Sequence, residues 1–271
     1  MNKGVIITSL QNPRVKQGVK LRDKRERDKS QTFLIEGYRE LSRAVEGGAP
    51  LEVLFYSPTH FLGSNEEVLI ETIRNQGVEI IEVSSPVFEK LSYRDRPDGL
   101  LSIAAQTHRT LESLDALFKK GRPPFLLIAE AIEKPGNLGT ILRSSDAAKV
   151  DALIICDQCT DIFNPNVVRA SVGTLFTVPV IEATSAETIA YLKKRGIPIV
   201  ASSPDATTLF TDAPLSGPAA IAVGTEQLGL SKEWMKEGDI QVKIPMLGVA
   251  DSLNVATATT LLLYEVLRQR S

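Results

Sequence analysis

Apolar and polar positions along the chain fall into two successive alternating series. From Phe33 the apolar run FLIE is followed by the amphipathic stretch YRELSRAVEGG, then by LEVLFY, NEEVLIETIRNQG and VEIIEV. Short apolar runs bounded by polar or glycine-containing segments read as strands, and stretches with apolar residues three and four apart read as helices. The strand-helix-strand-helix-strand rhythm predicts a small α/β unit. The run LLSIAA from Leu100, after the turn-forming RPDG, completes its sheet.

A helix is predicted over Leu111 to Lys120, and the prolines of GRPP (121–124) stop it. The boundary falls near Gln106 to Thr110, dividing the chain into domains 1–108 and 109–271. The second series runs through strand FLLIA at Phe125, helix Gly136 to Lys149, strand ALIICD and a helix around Asn166 to Val172. It continues with strand TVPVI, helix Ala186 to Lys194, strands IPIVAS, AAIAVG and IQVKIP, and a closing helix Ser252 to Arg268. Near-continuous apolar strands alternating with helices predict a parallel-sheet α/β domain.

Composition adds little to this picture, but charge distribution does. With 271 residues, 43% hydrophobic and 24% charged, the chain has an ordinary folded composition, and its formal net charge of -2 identifies no partner. Between Arg14 and Lys29, however, eight basic residues face three acidic ones. Such a run is either a solvated helix face with internal pairs or a phosphate-binding surface. The start is polar at Asn2 and Lys3 and no apolar run is long enough to span a bilayer, so a cytoplasmic protein without membrane contact is expected. Cys156 and Cys159 stand in a C-D-Q-C arrangement, but zinc takes four ligands and His60 and His108 are far away in sequence. Packing at a strand end is the reading for the cysteines, and no metal site is expected.

Chemistry concentrates in three loops that each follow a predicted strand: EKPGNLGTILR, GTEQLGLS and IPMLGVADSLNVATA. None of the 18 glycines is spaced G-x-G, which excludes the dinucleotide fingerprint. GTEQLGLS shares G-x-x-x-x-G with a P-loop but has Leu230 where the phosphate-binding lysine belongs. In open α/β sheets ligands collect beyond the carboxyl ends of the strands, which would bring Asn137, Arg143, Glu226, Ser252 and Asn254 around one site. Each alone has an ordinary structural role: turn support for Asn137, a solvated helix face for Arg143, helix capping for Glu226 and Ser252. Asn254, beside β-branched Val255, is poorly placed by helix propensity.

In order and spacing, Asn137 to Arg143, Gly224 to Leu230 and Ser252 to Ala256 resemble the three motifs of the SpoU/TrmH branch of the SPOUT methyltransferases. SLQNPRVKQ, FLIEGYRE and the RPDGLLSIA region resemble the N-terminal RNA substrate-binding domain of many such enzymes, so the likeness spans the chain. The resemblance implies an α/β SPOUT fold with a deep trefoil knot in the C-terminal domain, a feature that general topology rules would not suggest. It implies S-adenosylmethionine as cofactor, transfer to a ribose 2′-hydroxyl of RNA, ribosomal RNA first, and a homodimer formed through the C-terminal helix. Carried over, cofactor contacts fall to Ala201, Ser202, Gly224, Ile244, Met246 and Leu253. Arg143 is the catalytic candidate, with Asn137, Glu226, Ser252 and Asn254 positioning it, the nucleotide and the loops. Arg169 resembles a second recurrent arginine and is a candidate phosphate contact.

A ribose hydroxyl is a weak nucleophile, so the site must stabilise negative charge developing on oxygen; Arg143 suits that role better than that of a base, because guanidinium keeps its proton. On the N-terminal domain Arg22, Arg25, Arg39, Arg94 and Arg96 are the RNA-binding candidates, with Tyr93 available for stacking. Two other readings stay open: a methyltransferase acting on transfer RNA, and a non-catalytic RNA-binding protein of the same fold.

Overall fold

The computed structural model describes residues 6–271; Asn2 and Lys3 lie outside them. The chain divides into two compact units, one comprising Met1–Thr107 with Asp161–Thr177, the other His108–Thr160 with Val178–Ser271.

In chain order the first unit contains helices α1 (Pro13–Lys20) and α2 (Lys24–Ser30), strand β1 (Thr32–Glu36), α3 (Tyr38–Glu46), β2 (Leu51–Tyr56), α4 (Glu66–Asn75), β3 (Glu79–Glu82), α5 (Ser85–Leu91) and β4 (Leu100–Ala105). The four-stranded sheet has the order β1-β4-β2-β3, with β4 antiparallel to both neighbours and β2 parallel to β3. Leu34, Phe55, Phe88, Leu91, Leu101 and Ile103 build its core. Helix α5 is absent from the sequence expectation, because SPVFEKL carries only one turn's worth of apolar signal; Val87, Phe88 and Leu91 are nonetheless fully buried.

The second unit holds β5 (Phe125–Glu130), α6 (Pro135–Ala147) and β6 (Ala152–Cys156), after which the chain returns to the first unit for α7 (Pro165–Ser171). It resumes with β7 (Val180–Ala183), α8 (Ser185–Arg195), β8 (Ile199–Ser202), β9 (Thr208–Leu209), β10 (Ala219–Val223), α9 (Lys232–Glu237), β11 (Ile240–Lys243) and α10 (Val255–Arg270). Seven strands form one sheet in the order β7-β6-β5-β10-β8-β11-β9, every pair parallel, as the apolar runs predict. Strands β5, β6 and β10 are buried along their whole length, which is why their sequences show no polar alternation. Helix starts follow local chemistry: Thr184 and Glu187 form a reciprocal capping box on α8, and Asn164 caps α7 with Pro165 at its first position.

Instead of the helix expected over Leu111 to Lys120, the structure has a 3-10 helix over Leu111–Ala116. Leu111, Leu114 and Leu117 recur every third residue and all pack on the sheet core, which suits the three-residue turn. Cys156 ends β6 buried, its Sγ beside Thr188 Oγ1, and burial pushes its thiol up to about 12; Cys159 is exposed and free. Among the described residues no cluster of three or more His, Cys, Asp or Glu could hold a metal ion, and no helix is long and apolar enough to cross a membrane.

Segment 161–177 is built into the first unit through specific contacts. Phe163 lies 4.7 Å and Phe176 6.2 Å from Phe33, ring centroid to centroid. Arg27, 1% exposed, donates to Asp161 Oδ2 from Nε at 2.9 Å and Nη2 at 2.6 Å, and to the carbonyls of Leu21 and Arg22 from Nη1. One of the eight basic residues of the 14–29 run is therefore an internal tie. Lys24 pairs with Asp28 and Arg14 with Glu79, which leaves Lys16, Lys20, Arg25 and Lys29 as its exposed cations without a salt bridge among the described residues.

Candidate active site

Within the second unit, β5 and β10 are adjacent, β8 flanks β10, and β11 flanks β8, so the loops at their carboxyl ends emerge together. The loop after β5 enters α6 with Pro135 at the start, placing Asn137 in the first helical turn. The loop after β11 enters α10 through Asn254, whose Oδ1 accepts the Ala256 N–H at 2.9 Å as an N-cap.

These loops are joined by one chain of hydrogen bonds. Asn254 Nδ2 donates to Asn137 Oδ1 at 3.0 Å, and Asn137 Nδ2 donates to Glu226 Oε1 at 2.7 Å. Glu226 also accepts from the backbone N–H groups of Lys134 at 3.3 Å and Glu133 at 3.4 Å. Burial pushes the Glu226 carboxyl upward, but the Asn137 amide and the backbone N–H groups together outweigh it and hold the group below the usual carboxylate range. Helix capping, the ordinary role for Glu226, would fall at Ser231 before α9, but the Ser231 N–H is taken by Glu130 Oε2 at 2.8 Å, leaving Glu226 to the Asn137 side.

The loop after β10 owes its shape to glycine. Thr225 and Gly229 exchange both backbone hydrogen bonds, at 2.9 and 3.1 Å, closing a tight turn. A Cβ on Gly224 would lie 2.1 Å from the Gly229 carbonyl oxygen, and Gly229 sits at φ +69°. The apparent near-miss to a P-loop is thus a backbone hairpin.

A cavity of about 520 Å³ opens against these loops. Of the residues singled out in the sequence, Ser202, Gly224, Glu226, Ile244, Met246, Ser252 and Leu253 line it. Ala201 is fully buried within β8 and does not line it, nor do Asn137, Asn254 and Arg143. Val223, Leu230, Met235 and Val255 supply apolar walls, and Asp205 and Asp251 add carboxylates that the sequence reading missed. Among the described residues no lysine, arginine or histidine contributes to the lining. The missed aspartates sit in exposed loop positions that only their neighbours in space mark as special.

Arg143 projects from α6 as an exposed side chain, next to Ser144, whose hydroxyl meets Thr260 Oγ1 of α10 at 2.7 Å. The cationic candidates of the first unit differ in availability. Arg22 Nη2 is bound to the carbonyls of Lys90, Leu91 and Ser92 at the end of α5. Arg94 donates to the Glu36 carbonyl at 2.7 Å and Glu40 at 2.6 Å, with Asp98 3.5 Å away. Arg25, Arg39, Arg96 and Arg169 are exposed.

A family model described as the SpoU rRNA Methylase family matches residues 124–264, and one described as an MRM3-like substrate binding domain matches residues 12–102. The 23S rRNA (guanosine(2553)-2'-O)-methyltransferase RlmP of Bacillus subtilis (strain 168) is 30% identical over 261 residues, 96% of this chain and 98% of that protein. A crystal structure of an RNA 2'-O ribose methyltransferase is 39% identical, with a TM-score of 0.85 over 98% of this chain and 99% of the other. The AdoMet bound rRNA methyltransferase from Sinorhizobium meliloti superposes with a TM-score of 0.87 at 30% identity, covering 97% of both chains.

Proposed function

The chain belongs to the SpoU rRNA methylase family, and from that premise we propose that it transfers the methyl group of S-adenosylmethionine to a ribose 2′-hydroxyl of ribosomal RNA. The observation that carries this reading to the residue level is the Asn254–Asn137–Glu226 hydrogen-bond chain beside a cavity of about 520 Å³. That volume lies in the ordinary range of small-molecule sites. Its apolar walls at Val223, Leu230, Met235 and Ile244 suit an adenine ring, and a lining with carboxylates and no cations suits a ligand that carries a sulfonium. When bound, the cofactor supplies an electrophilic methyl group. Ser202, Gly224, Ile244, Met246, Ser252 and Leu253 hold it, while Asn137, Asn254 and Glu226 keep the three loops in one register.

Arg143 stabilises the negative charge that develops on the ribose oxygen during in-line attack and grips the neighbouring phosphate. Its guanidinium retains its proton throughout, so the hydroxyl proton leaves to another acceptor. Because Arg143 lies off the cavity lining of its own chain, the reading includes a homodimer through α10 in which two copies complete each site. Exposed apolar side chains support that assembly: Leu261 and Tyr264 on α10, and Leu228, Leu247 and Val249 in the loops around the cavity. The family's trefoil knot, a cytoplasmic location and an RNA substrate-binding role for residues 1–108 belong to the same proposal, as do phosphate contacts from Arg25, Arg39 and Arg96.

Calorimetric titration with S-adenosylmethionine, paired with transfer of labelled methyl to ribosomal RNA from cells lacking the gene, tests the reading. Wild-type protein binds the cofactor and methylates the RNA, whereas Arg143→Ala binds it and does not. A wild-type protein that ignores S-adenosylmethionine refutes the proposal, and transfer confined to transfer RNA redirects it.

A further inference from the structure

Tyr93 is an exposed aromatic residue that is held from three directions. Its backbone N–H donates to Glu36 Oε2 at 2.7 Å, and that carboxylate is buried at the end of β1. The Arg22 guanidinium stands 6.0 Å from its ring centroid over one face, itself fixed by the carbonyls of Lys90, Leu91 and Ser92. Its hydroxyl accepts from Asn166 Nδ2 of α7 at 3.1 Å. The residue is still 39% exposed. Ordering a surface side chain this completely costs conformational entropy that burial does not repay at such exposure, which is the signature of a surface preorganised for a partner.

Asn166 also sets a cation beside that ring. Its Oδ1 accepts from Arg169 Nη2 at 3.2 Å, so one amide has its donor on Tyr93 and its acceptor on Arg169 and cannot flip without losing both. Arg169 has no carboxylate partner among the described residues, in contrast to Arg27 and Arg94 of the same unit. Arg96, three residues along the loop from Tyr93, is likewise exposed and has no salt bridge among the described residues. The result is an aromatic side chain beside a guanidinium that no carboxylate of the described residues neutralises.

We infer that Tyr93, Asn166 and Arg169 form a subsite on the first unit for one nucleotide of single-stranded RNA, the base stacked on Tyr93 and the adjoining phosphate on Arg169. The inference rests on the reading of this protein as an RNA methyltransferase, and it deepens that reading by naming where unpaired RNA is gripped. A stacked base needs an accessible π-face, which duplex RNA does not present, and a phosphate needs a guanidinium free of a protein carboxylate. Asn166 is a positioning residue, acting through the orientation it imposes on the other two.

Fluorescence anisotropy with fluorescein-labelled decauridylate measures this subsite without any need for catalysis. Tyr93→Ser weakens binding about tenfold or more, while Tyr93→Phe stays within about threefold. Arg169→Gln weakens binding and lowers the slope of log affinity against log salt by about one. Asn166→Ala weakens binding with an unchanged melting temperature, and in methyl transfer it raises KM for ribosomal RNA while calorimetric affinity for S-adenosylmethionine stays at the wild-type value. Wild-type affinity of Tyr93→Ser for decauridylate, or equal binding of a fully paired RNA duplex, overturns the subsite. A wild-type protein that binds decauridylate through Tyr93 but ignores S-adenosylmethionine separates failure of the enzymatic reading from failure of this one.

Discussion

Asn254 donates through Nδ2 to Asn137 Oδ1 at 3.0 Å across 117 residues of sequence, and Asn137 passes its own donor on to Glu226. The two asparagines therefore have fixed and opposite roles at their contact, one giving a hydrogen and one taking it.

Asn137→Asp removes the donor and sets a second carboxylate against Glu226, while leaving the acceptor for Asn254. Loss of a hydrogen bond to a charged group lowers affinity for S-adenosylmethionine by roughly tenfold to a hundredfold. Calorimetry on the folded variant measures it, and an unchanged affinity would show that the loops hold their register without this link.

Glu226 sets a pH dependence. Its folded carboxyl is held below the ordinary range, mainly because the Asn137 and backbone hydrogen bonds overcome burial. A depressed acid contributes stability that is fully present above the unfolded pKa and is lost as pH falls through the folded value. The melting-temperature deficit of Glu226→Gln relative to wild type is accordingly constant from pH 8 down to about 5 and shrinks in more acidic buffer. A deficit that grows on acidification contradicts the assignment.

Gly224→Ala places a methyl group 2.1 Å from the Gly229 carbonyl oxygen, in backbone that cannot swing aside as a side chain would. The turn must open, and affinity for S-adenosylmethionine falls by at least about tenfold because the displaced loop lines the cavity. Titration calorimetry checks this, with circular dichroism showing that the sheet persists.

Asp161→Ala leaves Arg27 buried with its charge uncompensated. Breaking one side of a buried pair costs about 3–5 kcal/mol, a fall in melting temperature of roughly ten degrees for a chain of this size. Adding Arg27→Met recovers much of the loss, because the double variant buries no lone charge. A single variant as stable as wild type would show that the pair is solvated in solution.

The continuous apolar runs of β5, β6 and β10 made the parallel sheet readable from sequence, since strands buried on both faces need no alternation. Three loops with unusual polar residues were also readable as a convergence. The pairings inside that convergence were not: nothing local to Glu226 distinguishes an acceptor for Asn137 from a cap for Ser231, and Glu130 decided the matter from the end of a neighbouring strand. Charge was the least legible property. Arg22, Arg27 and Arg94 look like surface cations in the sequence, yet each guanidinium is tied to carbonyls or carboxylates of its own unit. The strand expected at TVPVI begins only at Val180, because Pro179 has no N–H to give the ladder and serves through its carbonyl, which accepts from Leu153.

Helix α7 is encoded between β6 and β7 of the second unit but completes the first, where Phe163 and Phe176 cover Phe33. The polypeptide therefore changes unit three times, and no single cut releases either half intact. An N-terminal fragment ending at Thr107 would present a bare phenylalanine and an orphaned Arg27 to water. Genetic shuffling of such a front half onto other enzymes would succeed only if a piece from the middle of the gene travelled with it, so the two halves are bound to be inherited together.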